Sequence, residues 1–387
     1  RRRTDVLIHN LLAFAAAALP SVAPLAPAAT RLASSDAPLA IRARSVWTGT
    51  KVLENAIVVV EDGRIRAVGT EVEIPDGAEV LEHEGVLTAG MIALHGTAGA
   101  VGETRDSTRP AMPEARMGIP VDGRSADFAP LWNAGITSLL VTPDSSGITS
   151  GTTALVRTAD GKVLRDPAHL SLVFSNEGLS SNREPTSRSG ALALLNELFK
   201  KSSGVVADAK SGKLTCLFEV RERDDVLRAI AFAKDRKLSG ALHGAWLSGE
   251  LSEPIRDSGL FVIVPALGVG TPKRALDAVV RLEKDGVVFG FGLDAPWNHP
   301  DLLRLSAALC VRAGLDSQAA WRGLTANAAK ISGVEARIGR IERGLEADLV
   351  LWSGDPLDLA TRAEVVITAG KALTVERPNQ NGAKESK

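Results

Sequence analysis

Four residues able to do chemistry stand far apart in the chain, each at the end of an apolar run: His95, Glu219, His243 and Asp294. Imidazole nitrogens and carboxylate oxygens suit Zn, Mn or Fe, and a hydrolytic centre needs about three protein ligands plus an open position for water. Brought together, the four could hold one divalent metal ion, with Asp294 and His243 also able to move a proton. Each has a plainer reading beside this one. A strand-end imidazole can simply be hydrogen-bonded, Glu219 can pair with Arg221, and Asp294 can cap the turn before Pro296. Glu177, Arg221 and His299 lie in segments able to flank the same place and are candidates for touching substrate.

Residues this distant in sequence meet only if the elements carrying them converge. After residue 86, strand-like apolar runs at 136–141, 169–174, 214–220, 239–243, 261–264 and 287–291 alternate with helix candidates at 191–201, 224–237, 273–284 and 302–313. Alternation of strand and helix implies parallel βαβ units, and so many in series favour an α/β fold closed into a TIM-like (β/α) barrel over residues 88–345, whose C-terminal strand ends share one mouth. An open doubly wound sheet is the alternative, but no Gly-rich nucleotide loop follows the first strand. Segments 39–87 and 346–376 show short strands broken by turn residues such as Asp62-Gly63, and together predict a small β-sandwich domain built from both ends.

The 45 basic and 46 acidic residues nearly cancel, leaving no electrostatic footprint for nucleic acid, so the partner expected is a small molecule; a homo-oligomer is left open. Residues 1–38 read as a signal peptide and linker: Arg1 to Arg3, an apolar run from Leu11 to Leu19, then Ala28, Ala29 and Ala33 near a cleavage point. Pro20, Pro24 and Pro27 interrupt the run well short of the ~20 residues of a membrane helix, so an exported, periplasmic or extracellular protein without a stable membrane anchor is expected. The polar tail 377–387 is predicted to be disordered. Cys216 and Cys310 fall on a predicted strand and a predicted helix and are expected as two separate buried thiols.

Three stretches resemble the amidohydrolase superfamily, closest to its imidazolonepropionase-like branch. Gly85-Val-Leu-Thr-Ala-Gly-Met-Ile-Ala-Leu-His95 looks like the family's first barrel strand, which ends in a His-x-His pair; here the second position is Thr97. Thr215-Cys-Leu-Phe-Glu-Val-Arg221 resembles a strand ending in His-Ala-His, with Glu219 and Arg221 in the two histidine places. Resemblance is nearly continuous from Gly290-Phe-Gly-Leu-Asp-Ala-Pro296 through Leu324-Thr-Ala-Asn-Ala-Ala-Lys330 to Gly344-Leu-Glu-Ala-Asp-Leu-Val-Leu-Trp352, and His243 sits where the family places a further strand-end histidine. The resemblance implies a metal centre that lowers the pKa of a bound water, with Asp294 passing that water's proton to the leaving nitrogen; Glu177 lies where the branch has an acidic loop residue. Thr97 is no substitute for imidazole, and Arg221 brings like charge beside a cation, so the resemblance is to a degenerate site with at most one metal. Two functions follow as expectations: hydrolysis of amide or cyclic-amide C–N bonds, including those of dipeptides, or a catalytically inactive member serving as an exported binding or scaffold protein. A metal-independent hydrolase using Asp294 and His243 alone is a third.

Overall fold

The structure is a computed structural model that describes residues 37–375. The expected tail, and all of the expected leader except its last two residues, lie outside that range. Among the described residues no helix is long and apolar enough to cross a membrane.

The strands run in chain order as β1 (Leu39–Trp47), β2 (Val52–Glu61), β3 (Arg64–Gly69), β4 (Glu79–Ala89), β5 (Met91–Gly96), β6 (Ile136–Val141), β7 (Gly151–Thr152), β8 (Ala154–Arg157), β9 (Val163–Arg165), β10 (His169–Val173), β11 (Thr215–Glu219), β12 (Gly240–His243), β13 (Phe261–Val264), β14 (Phe289–Ala295), β15 (Leu349–Trp352), β16 (Ala363–Thr368) and β17 (Lys371–Thr374). They form two sheets. In the larger, β10, β11, β12, β13, β14, β5 and β6 pair in parallel in that order. The remaining gap is filled from an unexpected direction. The stretch β7–β8 runs antiparallel to both neighbours, β8 pairing with β6 and β7 with β10. Thr153, between the two, exchanges backbone hydrogen bonds with His169 and Ala168. A TIM-like barrel results, in which seven strands are parallel and the eighth is reversed.

Alternate side chains along these strands serve different cores, as the period of two demands. Ile92, Leu94, Leu140, Leu155, Leu217, Ala241 and Ile263 belong to one buried cluster. Ala93, Leu139, Cys216, Phe218, Leu242 and Val262 belong to another that includes helix residues such as Phe232, Val279 and Leu282. The helix Lys273–Lys284 shows why it packs there: its buried positions, Ala275, Ala278, Val279 and Leu282, recur at three, one and three residues and so form one stripe. Helices expected at 191–201, 224–237, 273–284 and 302–313 are found at Arg188–Lys201, Arg223–Arg236, Lys273–Lys284 and Leu302–Arg312. Cys216 and Cys310 are free and buried, and burial pushes both thiols up to about 12.

The smaller sheet has the order β17-β16-β15-β4-β1-β2-β3, with β15 pairing antiparallel to β4. A two-layer sandwich was expected. The strands instead make one seven-stranded sheet whose β3 edge turns back to the chain entering β15: Ile65 donates to the Leu345 carbonyl and Gly344 to that of Ile65. A single curled sheet suffices because its inward face closes on itself, with Ile41, Val58, Val60, Leu87, Leu349 and Ile367 in one buried cluster.

Candidate active site

β5 and β14 lie side by side, and their C-terminal ends depart from regular pairing in the same place. Leu94 is opposite Gly292 and Gly96 opposite Ala295, so two residues on β14 face one on β5 between those pairs. The extra residue is a bulge, and there His95 and Asp294 both adopt left-handed backbone, at φ 71° and 58°. Such conformations cost energy in non-glycine residues and persist where surrounding structure enforces them. Gly96 permits the close approach, since a Cβ there would stand 2.8 Å from the Ala295 carbonyl oxygen. The bulge brings the two side chains together, and the His95 Nδ1–H donates to Asp294 Oδ1 at 2.5 Å.

β11 and β12 deliver the other two groups, with Glu219 and His243 directly opposite in the parallel ladder. The His243 Nδ1–H donates to Glu219 Oε2 at 2.8 Å, and its ring stacks on that of His95 with centroids 3.8 Å apart. Glu219 Oε1 lies 3.6 Å from His95 Nε2. All four residues expected at strand ends therefore meet at one barrel mouth.

An ionised carboxylate only accepts hydrogen bonds, so the Glu219 contact assigns the His243 proton to Nδ1 and leaves Nε2 as a lone pair. That Nε2 is buried and has no hydrogen-bond partner. Burial and the neighbouring His95 charge hold His243 below the usual histidine range, which keeps the lone pair unprotonated. His95 behaves oppositely: burial opposes its charge, but the hydrogen bonds and charges of Asp294 and Glu219 outweigh burial and raise it to about 9. Glu219 is deeply buried, which disfavours its charge, yet the two histidines hold it well below the usual carboxylate range. Asp294 is likewise held low despite partial burial, chiefly by His95.

His95, His243 and Asp294 each present a ligand atom within 4.8 Å of the others. With an orphaned imidazole nitrogen among them, this donor set fits one divalent cation of the Zn type and leaves coordination positions for water. Glu219 stands behind the two imidazoles as their counter-charge. The plainer reading of Glu219 also has a physical basis here, because Arg221 Nη1 is 3.8 Å from its Oε2.

Of the residues expected to flank the site, Glu177 and Arg221 come together and His299 does not. The Arg221 Nε–H donates to Glu177 Oε1 at 2.9 Å, and Ser175 donates its hydroxyl to Glu177 Oε2 at 2.7 Å. The His299 side chain is 79% exposed and lines a different cleft, beside Pro130, Trp352 and Thr361. Its place follows from the chain after Asp294, where Trp297 and Asn298 fold back to donate to the Asp294 carbonyl. Sequence reasoning missed Ser175 and Gly244. The first is one of many serines, and the significance of the second depends on the arginine beside it.

The sequence model described as the amidohydrolase family matches residues 201–379. That span carries Glu219 on β11, His243 on β12 and Asp294 on β14. This part of the chain, residues 201–379, belongs to the amidohydrolase family. In fold, the chain is similar to a solved amidohydrolase from Thermotoga maritima MSB8, with a TM-score of 0.80 and 24% identity, covering 88% of this chain and 100% of that one. It is 46% identical over 57 residues to the imidazolonepropionase of Acidiphilium cryptum, covering 14% of each chain. It is 39% identical over 75 residues to the imidazolonepropionase of Shewanella piezotolerans, covering 19% of this chain and 17% of that protein. The match to these curated relatives thus spans less than a fifth of their length.

Proposed function

We propose that the protein hydrolyses a C–N bond in a small amide or cyclic amide with the help of one divalent cation, Zn before Mn or Fe, held by His95, His243 and Asp294. The observation that carries the reading is the buried, unpartnered Nε2 of His243 beside two further donors. The match of residues 201–379 to the amidohydrolase family supports C–N hydrolysis as the reaction class. When bound, the cation would lower the pKa of a water from about 15.7 towards ~7 and polarise the scissile carbonyl.

The protein's own groups supply positioning and proton transfer. Glu219 fixes the His243 tautomer and ring orientation, the usual work of a carboxylate behind a metal-binding imidazole. Asp294, ionised and about one-third exposed at the mouth, takes a proton from attacking water and returns it to the leaving nitrogen. Glu177 and Arg221 bound the mouth on the β10 and β11 side and meet substrate there.

A second reading, a metal-free binding protein, is favoured by Thr97 at one strand-end histidine place and by the Arg221 guanidinium near Glu219. Elemental mass spectrometry on protein purified without chelator or histidine tag separates the two. Close to one Zn, Mn or Fe per chain, with hydrolysis of amides, lactams or dipeptides that chelator abolishes, supports the enzyme. No metal after incubation with each ion, together with a melting temperature that chelator leaves unchanged, overturns it, because a ligand bound only to the native state must stabilise it by mass action.

A further inference from the structure

Gly244, the residue after His243, has φ 103°, and a Cβ built on it would lie 1.6 Å from Arg221 Nη1. Only glycine fits here, because its backbone is left-handed and a Cβ would also stand 2.5 Å from the Val220 carbonyl oxygen. Arg221 is thereby laid across the end of β12, with Nη1 donating to the Val220 carbonyl and Nε to Glu177, while Nη2 has no acceptor among the described residues. Beyond Arg221 opens a cleft of about 710 Å³ that Gly244 also lines; Arg221 forms the wall between the cleft and the site, with its Nη1 3.8 Å from Glu219 Oε2, and Gly244 directly follows His243 in the chain. The walls of the cleft are apolar: Val226, Ala245, Trp246, Leu247, Leu251 and Ala275. Trp246 is 49% and Leu247 38% exposed, although large apolar side chains are the ones folding most readily buries. Of the charged groups that line it, Arg274 pairs with Glu250 at 2.5 Å and Glu222 with Arg188 outside the cleft at 3.0 Å, while Arg223 has no ion-pair partner among the described residues.

We infer that this cleft is the specificity subsite of the site described above and takes an apolar group, aromatic or branched aliphatic, attached to the amide. The inference rests on the proposed hydrolase reading for the word amide, and on the cleft alone for the apolar preference. A volume of this size exceeds what a phenyl group needs and lies in the range of small-molecule pockets. The indole of Trp246 offers the aromatic face such a group prefers. Arg221 closes the inner end, its Nη2, without an acceptor among the described residues, being available to an oxygen of the bound amide.

The test reads binding directly and needs no turnover. Protein carrying 5-fluorotryptophan, with the Trp246 signal assigned through Trp246→Phe, is titrated by fluorine NMR with 3-phenylpropionamide and, separately, with propionamide. The expected result is a saturable shift of the Trp246 signal with the phenyl probe, at least tenfold tighter than with propionamide, and at least tenfold weaker in Leu247→Asp. Leu247 is partly exposed, so this variant is expected to fold, and unchanged positions of the buried tryptophan signals check that it has. An unmoved Trp246 signal, equal response to both probes, or undiminished affinity in Leu247→Asp overturns the subsite. Binding without any hydrolysis would leave the subsite standing and remove only the hydrolase reading.

Discussion

His95 and a divalent cation compete for the same negative potential. Glu219 and Asp294 hold the His95 proton to about pH 9, whereas the neighbouring His243 is kept neutral and both carboxylates ionised. Binding a cation near neutral pH must therefore displace one proton, and it comes from His95. Zn affinity should rise about tenfold per pH unit from 7 towards 9, and calorimetry in buffers of different ionisation enthalpy should show about one proton released at pH 7. A pH-independent affinity would remove His95 from the ligand set. Asp294 can be separated from the metal by a milder change. Asp294→Asn retains a carbonyl oxygen for the cation but cannot take a proton, so turnover should fall by about 10²–10⁴-fold while metal content falls far less. Steady-state kinetics beside elemental analysis of the same preparation reads both quantities, and equal losses would make Asp294 a ligand only.

At the scale of elements, the reversed strand is the feature that local patterning could not reveal. Residues 151–157 follow the polar stretch Pro143-Asp-Ser-Ser-Gly-Ile-Thr-Ser150 and are too short for a helix-linked unit, and nothing in Gly151-Thr-Thr-Ala-Leu-Val-Arg157 states which way the strand will run. The parallel strands β10 to β14 were legible because each is a short apolar run followed by a helix, a pattern tied to one topology. The four strand-end groups were legible through motif position. The bulge that turns His95 and Asp294 towards each other was not, because it depends on the pairing of two strands about 200 residues apart. His169 ties the reversed strand in place: its ring lies 3.0 Å from the Thr153 hydroxyl oxygen, and its Nε2–H donates to the Ile331 carbonyl at 2.8 Å. Burial pushes His169 down to about 4, so the folded state needs it neutral. The folded pKa lies below the unfolded one, so this stability is intact above about pH 6.5 and is lost as pH falls from there to 4, amounting to about 3 kcal/mol. Urea unfolding of the wild type and His169→Gln at pH 7.5, 6 and 5 should show the gap between them shrinking with acid; a constant gap would contradict the assignment.

Among the contacts that join the barrel and the smaller sheet, two of different character bear on whether the molecule unfolds as one unit. One is aromatic: Trp321, on the helix Ser317–Leu324, meets Trp47 of β1 at 5.8 Å and Trp352 of β15 at 6.0 Å, edge to face in both cases. The other is ionic. Arg157, at the end of β8 and almost fully buried, reaches Glu346 at 2.8 Å and Asp348 at 3.7 Å at the entry to β15. Glu346 has a second partner in Arg337 at 2.7 Å, but Asp348 depends on Arg157 for compensation, and burial raises its pKa even with that arginine present. Removing one member of a buried pair leaves the other charge uncompensated, at a cost of about 3–5 kcal/mol. Arg157→Met should therefore destabilise the protein by about that much at pH 7.5. The loss should narrow at pH 5, because without the guanidinium Asp348 binds a proton more readily and no longer needs a counter-charge. Because both joints cross the same boundary, tryptophan fluorescence and far-ultraviolet circular dichroism should report one coincident urea transition in the wild type. The variant keeps the tryptophan joint, so its transition should move to lower urea without splitting; two separated transitions would show that coupling of the sheet to the barrel requires the ionic contact.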